Sequence, residues 1–303
     1  MDSALVSVGL PAALAIIMFG LGLALTPVEF RRVARHPRAV LIILGCQVLL
    51  LPLLGFAIAE VAGLAPELAV GLLLLAASPG GTTANLVSHL VRGDVALNIT
   101  LTAVNSVLAL ITLPIVVNLA IARYLGDSSG IGVQTGKMVQ VFAIVLVPVA
   151  IGMVVRSRSP QFADAADRPV RIASAVLLFL VVVGAILSEE NIGDYFAQVG
   201  VVTTVFCALS LAVGFFVPRL LGLTPAQCVA SGFEIGIHNS TLAIAVALTV
   251  LDNTTIAVPS AVYGIVMFPV AALFGVVLSR TGVLAGIPAT GGVEDAAPAR
   301  DTR

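Results

Sequence analysis

The chain has 303 residues, 59% of them hydrophobic and only 10% charged, with a formal net charge of -1. That composition excludes a soluble globular domain, and basic residues so few and dispersed exclude a nucleic-acid partner. Cys46, Cys207 and Cys228 all fall in apolar stretches, where a thiol acts as a small hydrophobe, so neither a disulfide nor a metal cluster is expected.

Cut at its charges, the sequence leaves apolar runs at about 3–28, 39–59, 67–91, 95–122, 138–155, 172–188, 197–218, 226–250 and 256–279. Each reaches or approaches the roughly 20 residues that a spanning helix needs, which predicts an all-α membrane protein with nine transmembrane helices. The first run contains no Lys or Arg between Met1 and Leu25, so it lacks the basic start of a secretory signal and is expected to stay as a span. The last residues, 281–303, turn rich in Gly, Pro, Ala and charge and are expected to form a disordered cytosolic tail beyond a transmembrane domain of residues 1–280.

Basic residues orient the chain. Arg31, Arg32, Arg35 and Arg38 follow the first run, Arg92 the third, Arg156, Arg158, Arg168 and Arg171 the fifth, Arg219 the seventh, and Arg280, Arg300 and Arg303 the ninth. That puts 13 of the 15 on one side, against Arg123 and Lys137 on the other. The positive-inside rule then predicts an external N-terminus and a cytosolic C-terminus in a cell membrane.

The third and eighth runs share an entrance, Gly63-Leu64-Ala65-Pro66 and Gly222-Leu223-Thr224-Pro225, and each is interrupted near its middle. The interruptions are Ser78-Pro79-Gly80-Gly81-Thr82-Thr83-Ala84-Asn85 and Glu234 to Ser240. Five spans apart, the two runs are oppositely oriented, which is the sequence mark of inverted repeats, here about 1–122 and 138–280, with a binding site at paired broken helices. Glu234 is the one charged side chain that cannot be assigned to a loop, a segment end or a tail. A carboxylate at that depth costs roughly 2.5 to 3.5 kcal/mol on insertion scales and therefore faces a partner or a wet cavity.

Counted from the arginine-rich ends, Gln47, Asn85, Asn98, Thr102 and Glu234 fall within roughly 6 to 14 Å of one boundary at 1.5 Å per residue. Asn98 with Thr102, and Glu234 with His238, are spaced i,i+4 and share helix faces. One anionic and several neutral oxygens suit a small hard cation such as sodium, while helix N-terminal amides at the same breaks favour an anionic substrate group. Enzyme readings fail here. Glu234 and His238 form no HExxH motif, no second interior histidine offers a zinc ligand, and nothing beside Ser240 suggests an oxyanion hole. A lone carboxylate beside paired broken helices also favours alternating access over a symmetric pore.

Several motifs together resemble the bile acid:sodium symporter family. They are Phe19-Gly20-Leu21-Gly22-Leu23-Ala24-Leu25-Thr26-Pro27, Ser78-Pro79-Gly80-Gly81-Thr82 with Asn85, Arg92-Gly93-Asp94-Val95-Ala96-Leu97, and Glu234-Ile235-Gly236-Ile237 with Asn239-Ser240. The resemblance implies core and panel domains, two discontinuous crossing helices, repeats of four and five helices, and no cofactor beyond coupling sodium ions. It implies a first cation site at Ala84, Asn85, Asn98, Thr102 and Glu234, and a second at Gln47, Glu234, Ile235, Ile237 and His238. Substrate, an organic anion of bile-acid or small-carboxylate type, would meet Thr82, Thr83, Asn239 and Ser240 in a monomeric carrier. Ala84 stands where the family often has serine and His238 where it has glutamine, so proton coupling or uniport on the same scaffold stays an open alternative.

Overall fold

A computed structural model describes residues 33–126, 135–166 and 192–281, with scattered positions at 15–31, 169–176 and 283. The expected first span (3–28), sixth span (172–188) and C-terminal tail fall largely or wholly outside the described residues. The rest is helical, with no strand among the described residues. In chain order the elements are α1 (Pro37–Gly45), a π-helical turn (Cys46–Leu50), α2 (Leu51–Ala62), α3 (Pro66–Ala77), α4 (Thr82–Leu90) and α5 (Val95–Tyr124). They continue with α6 (Thr135–Arg158), α7 (Ile192–Leu220), α8 (Pro225–Gly236), α9 (Ser240–Thr249) and α10 (Thr254–Arg280).

Among the described residues, four stretches are long and apolar enough to cross a membrane: Pro37–Ala62, Val95–Tyr124, Val199–Leu220 and Thr254–Arg280. Helices α3 with α4, and α8 with α9, form two further segments of membrane length, the first broken at Ser78-Pro79-Gly80-Gly81 and the second at Ile237-His238-Asn239. Local chemistry sets the boundaries. Gly63 and Gly222, at φ +59° and +78°, close α2 and α7 in the left-handed conformation. The amides of Leu64 and Leu223 then reach back to the carbonyls of Ala59 (3.1 Å) and Pro218 (3.0 Å), and a proline starts the following helix in both places. Thr224 and Gln227 add a reciprocal capping box to α8.

Burial separates the broken segments from the others. Every residue from Leu68 to Ala77 in α3 and from Cys228 to Gly236 in α8 is buried. By contrast, α1, the π-helical turn and α2 expose Leu41, Leu49 and Leu53 by 63% or more. Helices α3, α8 and α9 therefore occupy the interior with the breaks beside them, where irregular backbone is tolerated, while α4 and the continuous helices present apolar faces outward. Small residues allow the close approach that this requires. A Cβ on Gly71 would press on Pro259 of α10 at 2.9 Å, and one on Gly214 of α7 would lie 3.0 Å from the Cα of Gly232 in α8.

Ion pairs and charged caps lie at the segment ends. Arg123 pairs with Glu60 at 3.0 Å at one end. At the other, Asp94 caps α5 through the Leu97 amide (2.9 Å), and its own amide binds the Ala226 carbonyl (3.0 Å), tying α5 to the first turn of α8.

Candidate cation and substrate site

The two breaks cross and hydrogen-bond to each other. Gly80 and His238 form an isolated antiparallel bridge in which the Gly81 amide donates to the Ile237 carbonyl (2.7 Å) and the Asn239 amide to the Pro79 carbonyl (2.8 Å). Groups freed by one interrupted helix are thus satisfied by the other, the requirement for non-helical backbone at membrane depth. Other freed carbonyls take side chains. That of Ser78 accepts from Gln47 Nε2 (3.0 Å) and His238 Nδ1 (3.3 Å), and that of Gly236 from the Tyr263 hydroxyl (2.8 Å). Gln47 gets there from the π-helical turn, where the extra residue per turn re-aims its side chain.

Glu234 sits at the centre. It is 1% exposed, and no ion pair among the described residues includes it. The Thr102 hydroxyl donates to its Oε2 at 2.6 Å, whereas Oε1 has no partner. Gly80 passes so close that a Cβ there would collide with the carboxylate. One helical turn before Thr102 on α5, Asn98 donates through Nδ2 to the Ala84 carbonyl (3.1 Å), which leaves its Oδ1 unpartnered.

Among the described residues the buried acceptors without a partner include Gln47 Oε1, Asn85 Oδ1, Asn98 Oδ1, Glu234 Oε1 and His238 Nε2. All five belong to positions singled out from sequence. Leaving a buried polar atom unpaired costs about 1 to 3 kcal/mol, a cost that a donor or a positive charge at these atoms would relieve. Gly80 touches both Glu234, through the carboxylate, and His238, through the backbone bridge. Asn85, Asn98, Thr102 and Glu234 bring oxygen from α4, α5 and α8, and Gln47 and His238 meet over the Ser78 carbonyl. Oxygen donors of this kind suit a hard monovalent cation. Among the described residues no group of three or more His, Cys, Asp or Glu could hold a transition metal.

The remaining predicted residues divide. Ala84, Ile235 and Ile237 are fully buried, and the Ile237 carbonyl is engaged by Gly81. Asn239 uses its Oδ1 to cap α9 at the Leu242 amide (3.0 Å), and Ser240 Oγ is buried without a partner beside Gly264. Thr83 is exposed, and the Thr82 side chain lies outside the description. Helix α4 starts at Thr82 beside the crossing with no side-chain cap, and in its first turn the Ala84 amide donates to the Gly81 carbonyl (2.9 Å).

Three features escaped sequence reasoning. Phe206 stacks on His238 with centroids 5.7 Å apart, and Tyr263 meets the same ring edge-on at 5.4 Å. Both come from apolar helices with no local cue. Asn105 is buried with Nδ2 unpartnered and extends the polar face of α5 beyond Asn98 and Thr102. Its spacing of seven from Asn98 was a usable signal.

A family model described as the sodium bile acid symporter family matches residues 11–195. The chain is 29% identical over 276 residues to the ileal sodium/bile acid cotransporter of Oryctolagus cuniculus, covering 90% of this chain and 79% of that protein. It is 29% identical over 254 residues to the uncharacterized sodium-dependent transporter YocS of Bacillus subtilis (strain 168), covering 83% and 77%. It is also 28% identical over 257 residues to a probable chloroplastic sodium/metabolite cotransporter, BASS2, of Oryza sativa subsp. japonica, covering 82% and 58%.

Proposed function

The chain belongs to the sodium bile acid symporter family, whose members are transporters and not enzymes, and on that premise we propose that it imports an organic anion by sodium-coupled alternating access. The observation that carries this reading is the uncompensated Glu234 carboxylate among unpartnered oxygens at the crossing of two broken helices. A sodium ion held by Glu234, Asn85, Asn98 and Thr102 neutralises that charge, and a second position uses Gln47 and His238 with Glu234 and backbone of Ile235 and Ile237. The anionic end of the substrate meets the uncapped start of α4 at Thr82 and Thr83, opposite Asn239 and Ser240. Cation and anion then occupy adjacent parts of one crossing, so binding of the first lowers the electrostatic cost of the second.

The architecture that accompanies this reading is nine spans in inverted repeats of four and five, with core and panel domains. The N-terminus faces outward and the cytosolic end carries the arginines, in the cell membrane, although the relative from Oryza sativa is chloroplastic. Cation binding bridges α4, α5 and α8 and so biases the two-domain equilibrium toward the substrate-competent state. The unpartnered Nε2 of His238 favours one second reading, a proton-coupled or uniport carrier on the same scaffold.

The test is uptake into proteoliposomes of a panel of bile salts and small carboxylates preselected by sodium-dependent thermal stabilisation. Accumulation driven by an inward sodium gradient at fixed pH supports sodium symport. Accumulation driven only by a pH gradient supports the second reading, and equilibration without accumulation supports uniport.

A further inference from the structure

At the arginine-rich end, a groove of about 260 Å³ opens between the start of α1 and the turn into α8, lined by Arg35, His36, Arg38, Gly222, Leu223 and Gln227. That lining contains no carboxylate. Asp94 lines a smaller neighbouring hollow that shares Arg35 and His36, where its Oδ1 accepts the Leu97 amide, and lies outside the groove lining. Neither Arg35 nor Arg38 has an ion-pair partner among the described residues. The Arg38 guanidinium is held in place through Nη2 by the Leu221 carbonyl at 2.7 Å, which leaves the rest of its donor fork available. Gln227 accepts the Thr224 amide through Oε1, so its amino group remains a donor, and α1 begins without a side-chain cap. The groove is therefore a cavity of donors and positive charge with nothing negative inside it.

What borders it selects the kind of anion. One turn beyond Arg38, Leu41 is 72% exposed, and on α7, which packs against α1, Phe216 and Leu220 are 55% and 84% exposed. The span Pro37–Ala62 starts at the groove, which places the arginines at headgroup level and the apolar shoulder on the acyl side. A soluble anion would use the donors but leave the shoulder idle, whereas a phospholipid uses both.

We propose that this groove binds the phosphate headgroup of an anionic phospholipid, with its acyl chains along Leu41 and Leu220. The bound lipid bridges the start of α1 to the turn that leads into α8, the helix carrying Glu234, and braces the two against each other.

The experiment uses the full chain in nanodiscs of phosphatidylcholine with increasing phosphatidylglycerol, reading lipid retained by native mass spectrometry and the melting temperature. Arg35→Gln removes a charge that makes no hydrogen bond or ion pair among the described residues, and Gln227→Glu adds a carboxylate while keeping an oxygen for the capping box. Saturable phosphatidylglycerol binding is expected in the wild type, about five-fold weaker in Arg35→Gln, the effect of one basic residue at an anionic surface, and weaker still in Gln227→Glu. Arg280→Gln, at the same end but outside the groove, is expected to bind as the wild type does. Equal loss in Arg280→Gln would show diffuse surface attraction and overturn the site, as would indifference to headgroup charge. Equal stabilisation by inorganic phosphate in neutral detergent would make it a soluble-anion site and overturn the lipid.

Discussion

Glu234→Gln separates a cation-binding carboxylate from a structural one. The carboxamide keeps the shape of the side chain and an oxygen for the Thr102 hydroxyl, now 2.6 Å from Oε2, so packing survives. What disappears is one buried, unpaired charge. At an effective dielectric of about 20 and an oxygen-to-cation distance of about 2.4 Å, its attraction for a monovalent cation is roughly 7 kcal/mol before desolvation is counted. If about half is offset by stripping water from the ion, roughly 3 kcal/mol remains, which is more than a hundredfold in affinity. The assay needs no substrate. Purified protein is melted across sodium concentrations at constant ionic strength, with choline as the balancing cation, and stabilisation follows the ratio of sodium to its dissociation constant. Wild-type protein should gain stability with sodium. The variant should melt at the same temperature or higher without sodium, because a buried unpaired charge is gone, and gain nothing from it. A sodium response of wild-type size and midpoint in Glu234→Gln would refute the reasoning.

Thr102→Val removes the hydroxyl that orients the carboxylate, a bond to a charged group worth about 1.5 to 3 kcal/mol. The sodium midpoint in the same melts should rise at least about tenfold, with Thr102→Ser close to wild type. Gly80→Ala places a methyl group against the Glu234 carboxylate, and overpacking of this kind costs about 1 to 3 kcal/mol. Both the melting temperature and the sodium response should fall, and an unchanged response would show that the carboxylate can move aside freely. Tyr263→Phe strips the donor from the Gly236 carbonyl, which the Cys207 thiol at 3.7 Å replaces only weakly. The expected outcome is a lower melting temperature, by about 1 kcal/mol in stability, with a sodium midpoint within about twofold of wild type.

Where the sequence reading and the structure agree, the signal is local. Gly63-Leu64-Ala65-Pro66 and Gly222-Leu223-Thr224-Pro225, read as the entrances of two runs, do precede helix starts at Pro66 and Pro225, and the structure adds a left-handed glycine in each. The expected runs 95–122 and 256–279 appear as Val95–Tyr124 and Thr254–Arg280, with first turns capped by the side chains of Asp94 and Asn253. Gln47, Asn85, Asn98, Glu234 and His238 could be picked out because polar atoms are costly in apolar segments, and each retains a buried atom without a partner. The aromatic walls of His238 were not legible. Phe206 and Tyr263 look like any other apolar residue of α7 and α10 until packing brings them to one ring.

By itself the sequence determined the solvent, the helical class, the places where two helices must break and the residues too polar to face lipid, because each follows from transfer free energy or backbone sterics over a few neighbouring positions. Only the tertiary structure decided how the breaks are paired. That the Gly81 amide meets the Ile237 carbonyl and the Thr102 hydroxyl meets Glu234, across 132 residues of chain, depends on which helices pack together. Packing is a property of whole faces, and no local spacing encodes it.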